Sequence, residues 1–202
     1  MRTTLLLMLV GTAALSGCAL LGKNDPMVPR YFTPEYDGDA RAGPARGDLH
    51  LRLGRVEGWS HLRERMASRH SAQELSFYED RLWSERPEIY LRRALSRELF
   101  EERGVVQSLS GRGVTLDVEL IAFEEIEQPH LARLQVQVVL RDDRVGLLEE
   151  TITIEQPIAK GGEADPARAA VDALSQALHA GVTRIADRVV AKLAGQSARA
   201  AQ

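Results

Sequence analysis

Apolar residues recur at Val171, Leu174, Leu178, Val182, Ile185, Val189 and Leu193, in steps of three and four. Steps of that size return to one side of an α-helix, so this stretch is predicted to be a long helix with a single apolar face. Asp165-Pro166 ahead of it offers an N-cap acceptor and a residue whose fixed φ suits a first turn. The pattern fades at Gly195, and residues 195–202 are predicted to fray. A second helix is predicted to open at Pro87-Glu88, to turn Leu91, Ala94, Leu95 and Leu99 inward, and to stop at Gly104.

Elsewhere the period is two, the mark of half-buried strands. Leu49, Leu51 and Leu53 alternate with polar residues as far as Val56; residues 61–70 read as a polar strand and Glu74 to Trp83 as another. Val105-Val106 begins a return to the sheet. Val114, Leu116, Val118 and Leu120 face Leu134, Val136, Val138 and Leu140 across a hairpin centred on Gln128-Pro129-His130. Asp142-Asp143 then turns the chain into a strand over 148–154. Strands, helix, strands, helix is the order of an α+β domain: a mostly antiparallel sheet with two helices packed on one face.

The 202 residues suit one such domain, over residues 48–194, and 44% hydrophobic content is enough to bury a core. A net charge of −3 argues against a sequence-independent grip on nucleic acid, which needs a basic face. The single cysteine excludes an intramolecular disulfide framework and any multi-cysteine metal site.

That cysteine has a different use. Arg2 and the apolar run from Leu5 to Ala14 lay out residues 1–17 as a secretory signal peptide, too short to span a bilayer. Leu15-Ser16-Gly17-Cys18 resembles the bacterial lipobox. The resemblance implies cleavage before Cys18, a diacylglycerol on its thiol and an acyl chain on its amine, and no other cofactor. Two or three acyl chains hold a protein on a membrane essentially permanently. Ala19, where an Asp would signal inner-membrane retention, favours the periplasmic face of an outer membrane. Residues 18–47 carry Pro26, Pro29, Pro34 and Pro44 with four glycines, and read as a flexible lipidated tether interrupted by Tyr31, Phe32 and Tyr36.

Catalytic patterns are missing: no Gly-x-Ser-x-Gly, phosphate loop or dinucleotide fingerprint occurs. The five histidines show no metal-ligand spacing. Glu124-Glu125 with Glu127, and Glu149-Glu150, read as solvated charge near strand ends, and Arg97 is expected to pair with Glu101 one helical turn on. The chain is expected not to be an enzyme. Phe77, Tyr78, Arg81 and Trp83, three aromatics beside an arginine, form a candidate partner interface, with ordinary core packing as the competing reading.

The segment from Leu75 to Pro87, with the helix ending in Leu99-Phe100, resembles the ABC-type transport auxiliary lipoprotein family, the PqiC-like lipoproteins of MCE-type lipid transport systems. The lipobox, the Tyr31 start, the 49–55 strand and Gln156-Pro157 through Asp165-Pro166 also fit. The family's usual Arg-Trp pair is here split by Leu82. The resemblance implies a non-catalytic subunit at the outer-membrane end of a periplasmic conduit. Its partners would be an MCE-domain protein and its ABC transporter, its attachment the lipid anchor, its assembly a homo-oligomer such as a ring. The alternative is a periplasmic lipoprotein that binds a lipid or small ligand without a transporter.

Overall fold

The computed structural model describes residues 27–36, 46–109, 113–143, 145–159 and 165–200. The signal peptide, the lipobox and Cys18 lie outside the described residues. Along the chain the elements are β1 (Arg30–Phe32), β2 (Arg46–Gly58), β3 (Arg65–Arg69), β4 (Leu75–Trp83) and α1 (Pro87–Ser96). The last of these continues as a π-helical turn, Arg97–Glu102; then come β5 (Val105–Gln107), β6 (Thr115–Ile126), β7 (Leu131–Arg141), β8 (Gly146–Pro157) and α2 (Pro166–Ala200).

The sheet is organised around β6. Along one of its edges β2 runs parallel to the first half and β3 parallel to the second; along the other lies β7, antiparallel, and then β8. Beyond β3 come β4 and β1, and beyond β2 comes β5. This is the α+β domain expected, with a mixed sheet: among the described residues four of the seven strand pairings are parallel. Parallel neighbours need a long crossover, here supplied by the α1 region between β2 and β6. Alternation reveals which face a strand buries, not which neighbour it takes.

Strand β7 shows how the two faces differ. Ala132, Leu134, Val136, Val138 and Leu140 are fully buried beneath the helices. Between them, Arg133 bonds Glu155 at 2.7 Å, Gln135 bonds Thr153 at 2.9 Å and Gln137 bonds Glu149 at 3.2 Å, a polar ladder on the open face. Ile121 is an extra residue in β6, between the pairs Leu120–Val136 and Ala122–Gln135. A bulge of this kind resets the alternation. It turns Phe123 toward the helices and leaves Glu124 on the open face, opposite Arg133.

Proline at N1 starts α1, and Gly104 takes a φ of 65° after the π turn, a backbone state suited to glycine. The wider turn moves partners from i+4 to i+5: in the backbone the Arg103 amide donates to the Glu98 carbonyl at 2.8 Å, and between side chains Arg97 pairs with Glu102 rather than with Glu101. All seven apolar positions of the α2 stripe are buried.

Two boundaries differ from expectation. Residues 30–36 and Arg46–Gly47 were assigned by composition to a flexible tether, yet β1 adds to the sheet edge beside β4 and β2 begins at Arg46. Pro29 and Pro34 bracket β1 rather than interrupt it, and an edge strand tolerates flanking prolines. The tail expected to fray at Gly195 is helical to Ala200; Gln196 to Ala200 contains no helix breaker, so nothing stops propagation.

Candidate functional site

The N-terminal segment is strapped across one end of the domain. Ser84 donates its amide to the Phe32 carbonyl at 2.9 Å, Thr33 Oγ1 meets Ser84 Oγ at 2.7 Å, and the Glu35 amide donates to Ser175 Oγ on α2 at 3.1 Å. Tyr36 lies against the His179 ring, 5.4 Å between centroids, and its hydroxyl donates to Glu98 at 2.6 Å. Burial alone would push the Glu98 carboxyl up, but the hydrogen bonds from Tyr36 and Arg103 outweigh it and hold it below the ordinary value. Burial, followed by the bond to Glu98, pushes the Tyr36 phenol far above its ordinary range. At the start of α2, Asp165 caps the Ala167 amide and pairs with Arg30, whose guanidinium holds it down to about 2.

The four residues proposed as an interface do not form one surface. Trp83 is buried, packed against Phe123 at 5.1 Å with the rings tilted by 35° and meeting Tyr90 edge-on at 6.2 Å, so it cannot face a partner. Tyr78 is half-buried; its hydroxyl donates to Glu125 at 2.9 Å, and Arg81 lies 3.8 Å over its ring while reaching Glu125 at 3.5 Å. Phe77 is the exposed member. Strand register sets it level with Ala67, Glu124, Arg133 and Glu155, one row across the open face.

That row contains the structure's clearest departure from expectation. Glu124 and Glu125 are buried, not solvated. Glu124 is 1% exposed and takes a two-pronged hydrogen bond from Arg69 at 2.6 and 3.0 Å, with Arg133 at 3.8 Å. Glu125 collects Tyr78, Arg81 and His130. His61 stands close enough to Arg69 and Glu124 to feel both charges, and burial lowers its affinity for a proton. Its neighbour Trp59, 6.1 Å away ring to ring and 46% exposed, is a surface aromatic outside the 77–83 segment that sequence pattern favours. The only signal for it was Gly58-Trp59-Ser60 at the end of a strand. Trp59 and Phe77 are thus exposed aromatics set beside charged groups, a combination enriched where proteins meet.

His70, His130 and His179 are engaged locally. His70 bonds Glu127 at 2.6 Å, which raises its proton affinity, while Ser68 donates to the same carboxylate at 3.0 Å. Among the described residues no three His, Cys, Asp or Glu side chains are grouped to hold a metal, and no helix is long and apolar enough to cross a membrane.

Residues 39–186 match the family model of the ABC-type transport auxiliary lipoprotein component. The chain belongs to that family. Its fold is shared with protein XCC0632 from Xanthomonas campestris, of family model DUF330. The two are 16% identical with a TM-score of 0.67 over 84% of this chain and 99% of that one. A second solved structure, of an uncharacterized protein, is 17% identical with a TM-score of 0.62 over 80% of this chain and 99% of its own. No curated protein matches the sequence. As a member of this family the chain is an auxiliary component of an ABC-type transport system.

Proposed function

We propose that this protein is a non-catalytic outer-membrane lipoprotein subunit of an MCE-type ABC transport system, where it docks the periplasmic conduit and aids phospholipid traffic and membrane integrity. The family match over residues 39–186 carries the reading. Lipidation of Cys18 fixes the protein to the membrane, the strap from Arg30 to Tyr36 ties the anchor to the folded domain, and the open face offers Trp59 and Phe77 to a partner.

The test is purification of the full-length lipoprotein from its native envelope in mild detergent, with co-eluting proteins identified by mass spectrometry. An MCE-domain protein should co-elute with the parent and be lost from Phe77→Glu and Trp59→Glu variants that retain the parent's melting temperature. Recovery of stoichiometric phospholipid with no protein partner would replace this reading with that of a lipid-binding lipoprotein acting alone.

A further inference from the structure

Between the start of β8 and the last turns of α2 runs a groove of about 520 Å³, within the usual size range of ligand sites. Its floor is apolar: Val145, Leu147 and Leu148 from the strand side, Ala191 from the helix. Val145 is 61% exposed, so this apolar surface is presented to solvent rather than absorbed into the core. Along the rim stand Arg188, Lys192 and Arg199, spaced four and seven residues apart and therefore on one side of α2. Arg188 touches Glu150 at 3.4 Å through one nitrogen and is otherwise half exposed; Lys192 and Arg199 meet no carboxylate among the described residues. Gly146 and Gly195 both line the groove, and a Cβ built on either meets nothing within 4 Å. The helical half of the groove lies beyond residue 186, where the family match ends.

An apolar floor with cations on one rim complements a molecule that is apolar along its length and anionic at one end. We propose that this groove binds a single anionic phospholipid, its phosphate held between Arg188 and Lys192 and its acyl chains laid along Leu147, Leu148 and Ala191. A free phosphate would leave the apolar floor unused, and a zwitterionic lipid would bring its own cation to a cationic rim. The inference deepens the phospholipid-traffic reading. The strap reaches α2 as far as His179, nine residues before Arg188 and about 14 Å along the helix at 1.5 Å per residue, so the groove lies beyond the strap on the same helix.

The experiment places the full-length lipoprotein in vesicles carrying either photoreactive phosphatidylglycerol or photoreactive phosphatidylcholine and maps the cross-linked residues by mass spectrometry. Cross-links from phosphatidylglycerol should concentrate at Val145–Leu148 and Ala191–Gln196, at least tenfold above those from phosphatidylcholine. They should fall tenfold or more in the double variant K192E/R199E and in Gly195→Trp, which fills the groove, but persist in Gly195→Ala. All variants are exposed-site changes, and unchanged melting by circular dichroism separates loss of binding from loss of fold. Equal labelling by both lipids, or labelling unmoved by the variants, overturns the proposal. So does full competition by inorganic phosphate, which would make the site one for phosphate alone, and so does loss of a co-purified protein from K192E/R199E with lipid labelling intact, which would make it a protein-docking groove. Recovery of the MCE partner without groove labelling refutes the groove alone; groove labelling without the partner refutes the docking function alone.

Discussion

Replacing Arg69 by Ala isolates what the open face costs to build. Glu124 is a carboxylate at 1% exposure whose two oxygens are both satisfied by Arg69. Its other cation, Arg133, stands at 3.8 Å and is committed to Glu155 at 2.7 Å. Removing Arg69 leaves a buried charge nearly unpaired, a change that costs about 3–5 kcal/mol, against a whole-domain stability of order 5–15 kcal/mol. Glu124→Gln keeps the shape and removes the charge, while Arg69, with its side chain 23% exposed, can turn to water. That change costs about 1.5–3 kcal/mol, the worth of a hydrogen bond to a charged group. Adding Glu124→Gln to Arg69→Ala should therefore recover stability, because the orphaned charge is gone. Urea unfolding of the four proteins, followed by tryptophan fluorescence at pH 7, gives the complete cycle. An Arg69→Ala cost below about 1 kcal/mol, the level of an exposed ion pair, would refute the reasoning and mean that water reaches Glu124.

Other consequences can be checked separately. His61 and His70 should titrate on opposite sides of 6.5 by NMR, His61 below it because of burial and His70 above it because of its bond to Glu127; the reverse order would contradict both environments. The His70 contribution to stability is then complete below pH 6.5 and fades as pH rises through its folded value. Tyr36→Phe removes one hydrogen bond to the buried Glu98 carboxylate and should cost about 1.5–3 kcal/mol at pH 7. Because Glu98 is depressed in the folded state, its contribution is complete above 4.5 and is lost as pH falls through the folded value, so the variant and parent should converge in acid unfolding. Gly181→Ala would gain about 1 kcal/mol in helix propensity, but its Cβ would sit 2.7 Å from Leu134 Cδ2 in the closed core, and such overpacking costs about 1–3 kcal/mol. A net loss near 1 kcal/mol should appear in thermal melts, and a gain would mean that α2 can ride away from β7.

Hydrophobic period carried most of the fold. Both helices, the 128–130 hairpin and the inward face of β7 follow from it, because burial on one side leaves a direct trace in the sequence. Three features left none. The π turn keeps the apolar positions of a helix and reveals itself only through partners at i+5, Arg97 with Glu102. The Ile121 bulge changes which residue of a Glu-Glu pair enters the sheet face, and no local composition marks it. The arginine that neutralises Glu124 comes from 55 residues away, so a carboxylate pair read in its own sequence context looks solvated. The candidate interface divided for a similar reason: Trp83 and Phe77 share a strand, but one ends in the core and the other on the open face.

If Cys18 carries the proposed lipid anchor, the strap changes the anchor's mechanics. A tether counted from Cys18 to Gly47 would span at most about 100 Å when extended at about 3.5 Å per residue, but Arg30–Phe32 already pair with the sheet edge. Eleven residues then lie between Cys18 and Arg30, a reach of at most about 42 Å, so under the proposed lipidation of Cys18 the strap would hold the protein close to its membrane and limit where the proposed conduit could meet it. Inserting about twenty Gly/Ser residues after Gly22 would restore the longer reach without touching the strap or the lipobox. If position matters, such a chain should fold, lipidate and recover its partner from detergent like the parent, yet complement an envelope-integrity defect less well. Full complementation by the lengthened chain would show that the strap stabilises the domain without setting its distance from the membrane.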